Sequence, residues 1–240
     1  PKALLGGNHS QVERWRRKEQ LRRTMERRPD MFIAFTPVGK QDEQILEELR
    51  REKDRPLLTQ PITCRPATSD DLPAIMGLVA QAQALLKKRG IDQWQDGYPS
   101  PEHLQIDIDR SECYVILHGT DVAAFFVLSA LPEASYAAIT DGKWSGDEPY
   151  TVLHRCAVGE RYRGLDLADR IITESERLTR ALGRRWLRVD THKKNKAMQG
   201  LLRRCGFQYR GNILVQVGEG HDPRRVAYEK HLPATQKKSN

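Results

Sequence analysis

Apolar positions along this chain recur at helical spacing in some stretches and alternate or run together in others, and the switches between the two mark its elements. Val12, Trp15, Leu21 and Met25 follow roughly helical spacing among arginines. They predict a helix that stops at Pro29, which has no backbone N–H to continue it. Residues 41–53 (QDEQILEELRREK) read as a short charged helix whose apolar stripe is Ile45, Leu46 and Leu49. Two prolines then bracket a polar stretch. The predicted organisation is a helical basic segment over 1–53, a linker over 54–61, a larger domain over 62–232 and a disordered tail over 233–240.

Beyond the linker the pattern changes. Residues 62–68 (ITCRPAT) predict a strand, with Ser69 and Asp70 as candidate caps of a helix running to residue 88. CYVILH (113–118) and VAAFFVLSA (122–130) predict a strand pair around a turn at Gly119–Asp121, and TVLHRCAV (151–158) another strand. Residues 163–183 predict an amphipathic helix with Ala168, Ile171, Ile172, Ser175, Leu178 and Leu182 on one face. RWLRVDT (185–191) reads as a strand, 195–207 as a helix closed by Gly206, and 213–218 and 225–232 as the last two strands. The class is α/β (α+β).

Composition narrows the partners. The 240 residues carry a net charge of +8, which favours an anionic partner, nucleic acid or the phosphates of a cofactor. Nine Lys/Arg against three Glu fall between Lys2 and Arg28, so part of that excess is local. No stretch approaches the ~20 consecutive apolar residues of a membrane span. The four cysteines, Cys64, Cys113, Cys156 and Cys205, show no paired spacing. They read as buried thiols in a reducing cytoplasm, with no metal site expected. The chain opens on Pro1 rather than Met, so a longer product is expected.

The chemistry concentrates in the strand–turn–helix over 151–183. The turn RYRGLDLA (161–168) joins a strand to a helix N-terminus. Unsatisfied amides and the positive end of the helix dipole suit a pyrophosphate there, and Gly164 permits close approach. The small-apolar triplet Cys156-Ala157-Val158, the turn Arg163–Ala168 and a helix from Asn195 to Gly206-Phe207 resemble the GNAT (GCN5-related) N-acetyltransferase superfamily over roughly 61–232. Further matching stretches are IDQWQDGYP (91–99), HRCAV (154–158), VDTH (189–192) and RVAYEKHL (225–232).

The resemblance implies a GNAT fold, a mixed, mostly antiparallel twisted sheet flanked by helices and preceded here by the small helical segment. It also implies acetyl-CoA as cofactor and direct attack by a neutral primary amine on the thioester. Cofactor contacts carry over to Cys156, Ala157, Val158, Arg163, Gly164, Leu165, Asp166, Leu167, Ala168 and Asn195, with the amides of Ala157 and Val158 holding the carbonyl. Two positions depart from the pattern. Asp166 replaces a glycine of the phosphate turn, and Leu202 replaces the tyrosine many relatives use to protonate the thiolate, leaving Tyr209, water or no acid at all to serve. By two-residue periodicity His154 shares a face with Cys156 and Val158, as base or as a core histidine. His192 is a second candidate at the acceptor end. Trp94, Tyr98, Trp144 and Tyr150 read as an aromatic wall over a cationic amine or as loop anchors, with Asp92, Asp96, Asp141 or Asp147 supplying charge.

Residues 2–32 resemble the C-terminal segment of bacterial tRNA (guanine-N1) methyltransferase through Leu4-Leu5, Gly7-Asn8-His9, Trp15-Arg16, Arg23-Thr24 and Arg27–Asp30, and 41–50 continue the likeness. This implies tRNA contact through Asn8, His9, Arg16, Arg17, Arg23 and Arg27, and an acyltransferase fused to part of such an enzyme. The alternative is a bifunctional methyltransferase whose methyl-transfer domain lies upstream of Pro1.

Overall fold

The computed structural model describes residues 9–33, 35–53 and 60–233. Asn8, residues 54–59 of the expected linker over 54–61 and residues 234–240 of the expected tail over 233–240 lie outside them. The chain divides into two compact units, Pro1–Leu57 and Leu58–Asn240.

The first unit is helical: α1 (His9–Arg27), α2 (Pro29–Ile33) and α3 (Gly39–Lys53). Leu21, Ile45 and Leu49 are buried together, with Met25, Phe35 and Leu46 packed against them. The predicted stripe of α1 splits. Leu21 and Met25 face α3, whereas Trp15 lies on a different arc of the helix, because the pairing with α3 also uses Arg14, Arg17 and Lys18. Arg17 grips Asp42 through Nε and Nη2 at 2.9 and 2.6 Å, and Lys18 meets Glu48 at 2.8 Å. Pro29 ends nothing for long: it opens α2, where a missing N–H costs nothing.

The second unit is a seven-stranded sheet in the order β1-β2-β3-β4-β5-β7-β6. The strands are β1 (Ile62–Pro66), β2 (Cys113–His118), β3 (Asp121–Ser129), β4 (Tyr150–Val158), β5 (Trp186–His192), β6 (Gln208–Leu214) and β7 (Arg224–His231). All neighbouring pairs are antiparallel except β4–β5. Helices α4 (Leu72–Lys88), α5 (Pro101–Asp109), α6 (Leu167–Ala181) and α7 (Lys196–Arg204) complete the unit. One core cluster holds Ile171 and Ile172 of α6 and Leu201 and Leu202 of α7 against the sheet, and a second holds Ile75, Leu78 and Val79 of α4 and Leu104 and Ile108 of α5. Covered on both faces, β3 is a near-continuous apolar run rather than an alternating one.

Several boundaries move. The first strand stops at Pro66, since Thr68 rather than Ser69 or Asp70 caps the turn Ser69–Asp71. Asp71 caps α4 instead, with its carboxylate held by Thr68 N at 2.8 Å and by Arg65 at 2.7 and 2.9 Å. Helix α5 had no counterpart in the hydrophobic pattern, although Ser100-Pro101 is a cap followed by an N1 proline. Helix α6 begins only at Leu167, because Gly164 (φ 79°) and Asp166 (φ 58°) are left-handed, and Leu182 beyond its end is 52% exposed. Residues 215–218, predicted as strand, form a loop past the end of β6.

Candidate active site

The sheet opens at its one parallel pair. β4 and β5 pair only over Tyr150–Val152 with Trp186–Arg188, although they run on to Val158 and His192. Beyond Val152 they separate, and a cleft of about 1220 Å³ lies along the gap. The helix stretch 82–89, the loop 92–98 and the loop 214–218 wall it. The two loops are stapled by the aspartates expected to bind ligand. Asp92 takes His221 Nδ1 at 2.7 Å and Asp222 N at 2.8 Å, and Asp96 takes Gly218 N at 3.0 Å.

At one end of the cleft lies the turn into α6. Arg170 N is the first amide to return into the helix, to Asp166 O at 3.0 Å. The amides before it, from Leu167 to Asp169, are those a helix start leaves over. Asp166 is exposed and left-handed, a conformation aspartate tolerates better than most residues, so its carboxylate stands in solvent. Arg163 and Ala168 line the cleft, whereas Gly164, Leu165, Asp166 and Leu167 are backbone to the turn. Asn195 caps α7 through Oδ1 to Met198 N at 3.2 Å and also faces the cleft.

β4 carries a bulge in the middle of the wall. Phe125 pairs with Ala157 but Val127 with His154, so Arg155 and Cys156 share one partner, and Arg155 takes φ 37°. Alternation therefore breaks. Leu153, Cys156 and Val158 pack in one core cluster and Ala157 in the other. His154 sits opposite Leu153, on the other face from Cys156, which corrects the uninterrupted period. Gly159 N donates to Ala123 O at 2.9 Å, so alternation sends the Ala157 amide to β3 and turns only the Val158 amide toward the gap.

On its new face His154 lines the cleft with Nε2 3.7 Å from Glu133 Oε2, a carboxylate the sequence reading passed over. Burial, reinforced by the Arg155 guanidinium, pushes the imidazole down to about 4. Glu133 Oε1 takes Ser135 N and Oγ at 3.2 and 2.9 Å. Asp190, on β5 beyond the paired stretch, accepts the Tyr136 hydroxyl at 2.9 Å, and burial pushes its carboxyl up. The Arg155 guanidinium crosses to Asp107 at 2.8 Å and hydrogen-bonds the Tyr98 hydroxyl. Thr191 lines the cleft with a buried hydroxyl that has no hydrogen-bond partner among the described residues.

Of the expected aromatics, Trp94 and Tyr98 line the cleft. Trp144 and Tyr150 do not: they sandwich the Arg188 guanidinium at 4.2 and 3.9 Å, inside a buried network in which Glu229 takes Arg188 and Arg210. Tyr209, the expected acid, does not line the cleft either: it is 48% exposed and its hydroxyl donates to Asn212 Oδ1 at 3.2 Å. His192 is 1% exposed and does not line the cleft, and its Nδ1 takes Lys194 N at 3.1 Å to shape the turn before α7. Burial pushes the Cys156 thiol up to about 11, which makes it packing rather than nucleophile. Leu202 is fully buried in the core.

In the first unit Arg16, Arg23 and Arg27 lie on one arc of α1, seven and four residues apart, and line a shallow groove with Trp15 and Met31. All three are exposed, as is His9. Arg17, expected beside them, is committed to Asp42.

Among the described residues no helix is long and apolar enough to cross a membrane, and no group of His, Cys, Asp and Glu is placed to hold a metal ion. Over 54 residues, 22% of its length, the chain is similar to the tRNA (guanine-N(1)-)-methyltransferase of Dehalococcoides mccartyi strain BAV1, 52% identical and covering 21% of that protein. The chain thus spans about a fifth of the length of the curated relatives it matches. A GNAT-family acetyltransferase from Streptococcus agalactiae 2603 superposes with a TM-score of 0.65 at 31% identity, over 73% of this chain and 98% of its own. A putative acetyltransferase from Salmonella typhimurium, solved with its cofactor acetyl-CoA, shares the fold at a TM-score of 0.53 and 14% identity, over 74% and 98%. The sequence profile described as "Acetyltransferase (GNAT) family" matches residues 79–207, so with this cleft between its parted strands the chain belongs to the GNAT family of acetyltransferases.

Proposed function

We propose that the chain transfers the acetyl group of acetyl-CoA to a primary amine by direct attack within the β4–β5 cleft. The observation that carries this is the arrangement along one gap: helix-start amides at one end, unpaired strand edges in the middle, a carboxylate and a neutral imidazole at the other. The amides opening α6 suit the coenzyme's diphosphate. The parted edges of β4 and β5 offer donors and acceptors to the amides of its pantetheine arm, as an added strand would use them. The Val158 amide is the donor placed for the thioester oxygen, and Thr191 Oγ supplies a further hydrogen bond along the arm or to the departing sulfur.

The amine nitrogen attacks the thioester carbonyl carbon, the C–S bond breaks, and the thiolate leaves on coenzyme A. The amine's proton passes by way of His154, or a water held by it, to Glu133, while the thiolate takes one from water. His154 is suited to relay rather than to storage, since its imidazole stays neutral at working pH. The test is direct: acetyl-CoA should raise the melting temperature of the protein, and an amine panel should release free thiol. A folded, monodisperse sample unprotected at millimolar coenzyme ends the proposal.

For the first unit we infer a contact with the phosphate backbone of tRNA through Arg16, Arg23 and Arg27, with Trp15 beside them. The stripe of exposed guanidinium groups, with no acidic partner among the described residues, and the chain's likeness to tRNA methyltransferases over 54 residues support it. Salt-dependent binding of tRNA by the full chain tests it.

A further inference from the structure

We propose that the acceptor is at least a diamine, whose second, protonated nitrogen is held by Asp190. This rests on the acetyl-transfer reading of the cleft and adds the class of molecule it takes. Elsewhere in this unit, buried carboxylates are matched by guanidinium groups: Asp71 by Arg65, Asp107 by Arg155, Glu174 by Arg170 and Arg177, Glu229 by Arg188 and Arg210. Asp190 breaks the rule. Among the described residues no cationic side chain lies within ion-pair distance of it, and the one side-chain hydrogen bond it accepts comes from the Tyr136 hydroxyl. The nearby Arg225 turns away, donating to the carbonyls of Asp222 and Arg224 at 2.6 and 3.1 Å.

The anion is built rather than incidental. Tyr136 is 1% exposed, and the ring of Trp144 at 5.0 Å and the bond from Trp144 Nε1 to the Tyr136 carbonyl at 2.8 Å hold it in place. Its hydroxyl donates to Oδ1, and no other side chain among the described residues hydrogen-bonds to Oδ2. A carboxylate kept in such surroundings without a cation is costly, and burial already raises its proton affinity. A ligand ammonium would remove that cost. Glu133 and His154 border the same cleft, so one nitrogen would be deprotonated beside them while the other stays charged at Asp190.

The experiment compares diaminobutane with n-butylamine, which differ by one terminal nitrogen, on the full chain with saturating acetyl-CoA. A hydrogen-bonded charge pair of this kind predicts kcat/KM for the diamine higher by on the order of tenfold to a hundredfold. In Asp190→Asn, where the amide oxygen can still accept from Tyr136, that ratio falls to near one, with the loss in KM. A wild-type ratio near one, or a ratio that survives the substitution, overturns the proposal while leaving acetyl transfer intact. If no amine is turned over, transfer fails by itself, and calorimetry on the coenzyme-A-loaded protein decides here. Diaminobutane binding that Asp190→Asn weakens supports the assignment, and no diamine binding overturns it.

Discussion

The position of His154 makes a sharp prediction about pH. A base that titrated as a free imidazole would give kcat/KM an inflection between pH 6 and 7. Here burial and the Arg155 guanidinium hold the group at about 4. At pH 7 roughly one molecule in a thousand then carries the imidazolium. An imidazole held that low is a poor store for the amine's proton, so the acceptor must enter as the neutral amine. The expected profile therefore shows no His154 inflection from pH 5.5 to 8. It rises with unit slope instead, about a hundredfold between pH 7 and 9, as the acceptor itself deprotonates. The assay is thioester consumption at low amine, in buffers of matched ionic strength. His154→Gln should lower kcat, by about tenfold to a hundredfold if the relay is lost, without changing the shape of the curve. An inflection near 6.5 in the wild type that vanishes in His154→Gln would refute this account of the site.

Other consequences are quickly checked. Gly164→Glu places a side chain at φ 79° and a charge beside the diphosphate, so coenzyme binding in calorimetry should be lost, while stability in urea falls by only about 1 kcal/mol. Asp107→Ala strands the Arg155 guanidinium in the core and should cost about 3–5 kcal/mol in urea melts, with Arg155→Met costing less because the buried Asp107 carboxyl left behind can take up a proton whereas a guanidinium cannot lose one. Cys156, with its thiol near 11, should resist alkylation at pH 8 in the native protein and react only on unfolding. In the first unit, Arg23→Ala should weaken tRNA binding and reduce the salt slope by about one, whereas Arg17→Ala should act through stability instead.

Much of the second unit was readable because its signals are local. The switch from strand to helix period, the glycine-bearing turn before α6 and the Asn195 cap each act within a few residues, and all three sit where the sequence placed them. What escaped depends on distant parts of the chain. Periodicity put His154 beside Cys156, but the strand bulges at Arg155, whose guanidinium binds Asp107, 48 residues away. Trp144 and Tyr150 looked like pocket aromatics because their neighbours are polar, yet it is Arg188 on β5 that draws them out of the cleft. Glu133 gave no motif at all. Its only marker is the Ser135 two residues on, which ties its Oε1 in a local turn.

That bulge also explains how one strand serves two purposes. An unbroken β4 would bury His154 beside Cys156 against α6, where no carboxylate waits, and would aim Arg155 into the opposite core cluster without relief. Inserting one residue lets the strand keep Leu153, Cys156 and Val158 on the α6 side while turning His154 toward Glu133. The left-handed backbone at Arg155 costs of order 1–3 kcal/mol, and the ion pair with Asp107, with its one hydrogen bond from Nη2, acts against that cost. The guanidinium so placed lowers the imidazole's proton affinity as well, so the contact that stabilises the bend also keeps His154 neutral. Removing the Arg155–Asp107 pair should therefore disturb stability and the shape of the pH profile together. A variant of either residue that changed only one of them would show that the bend and the relay are independent.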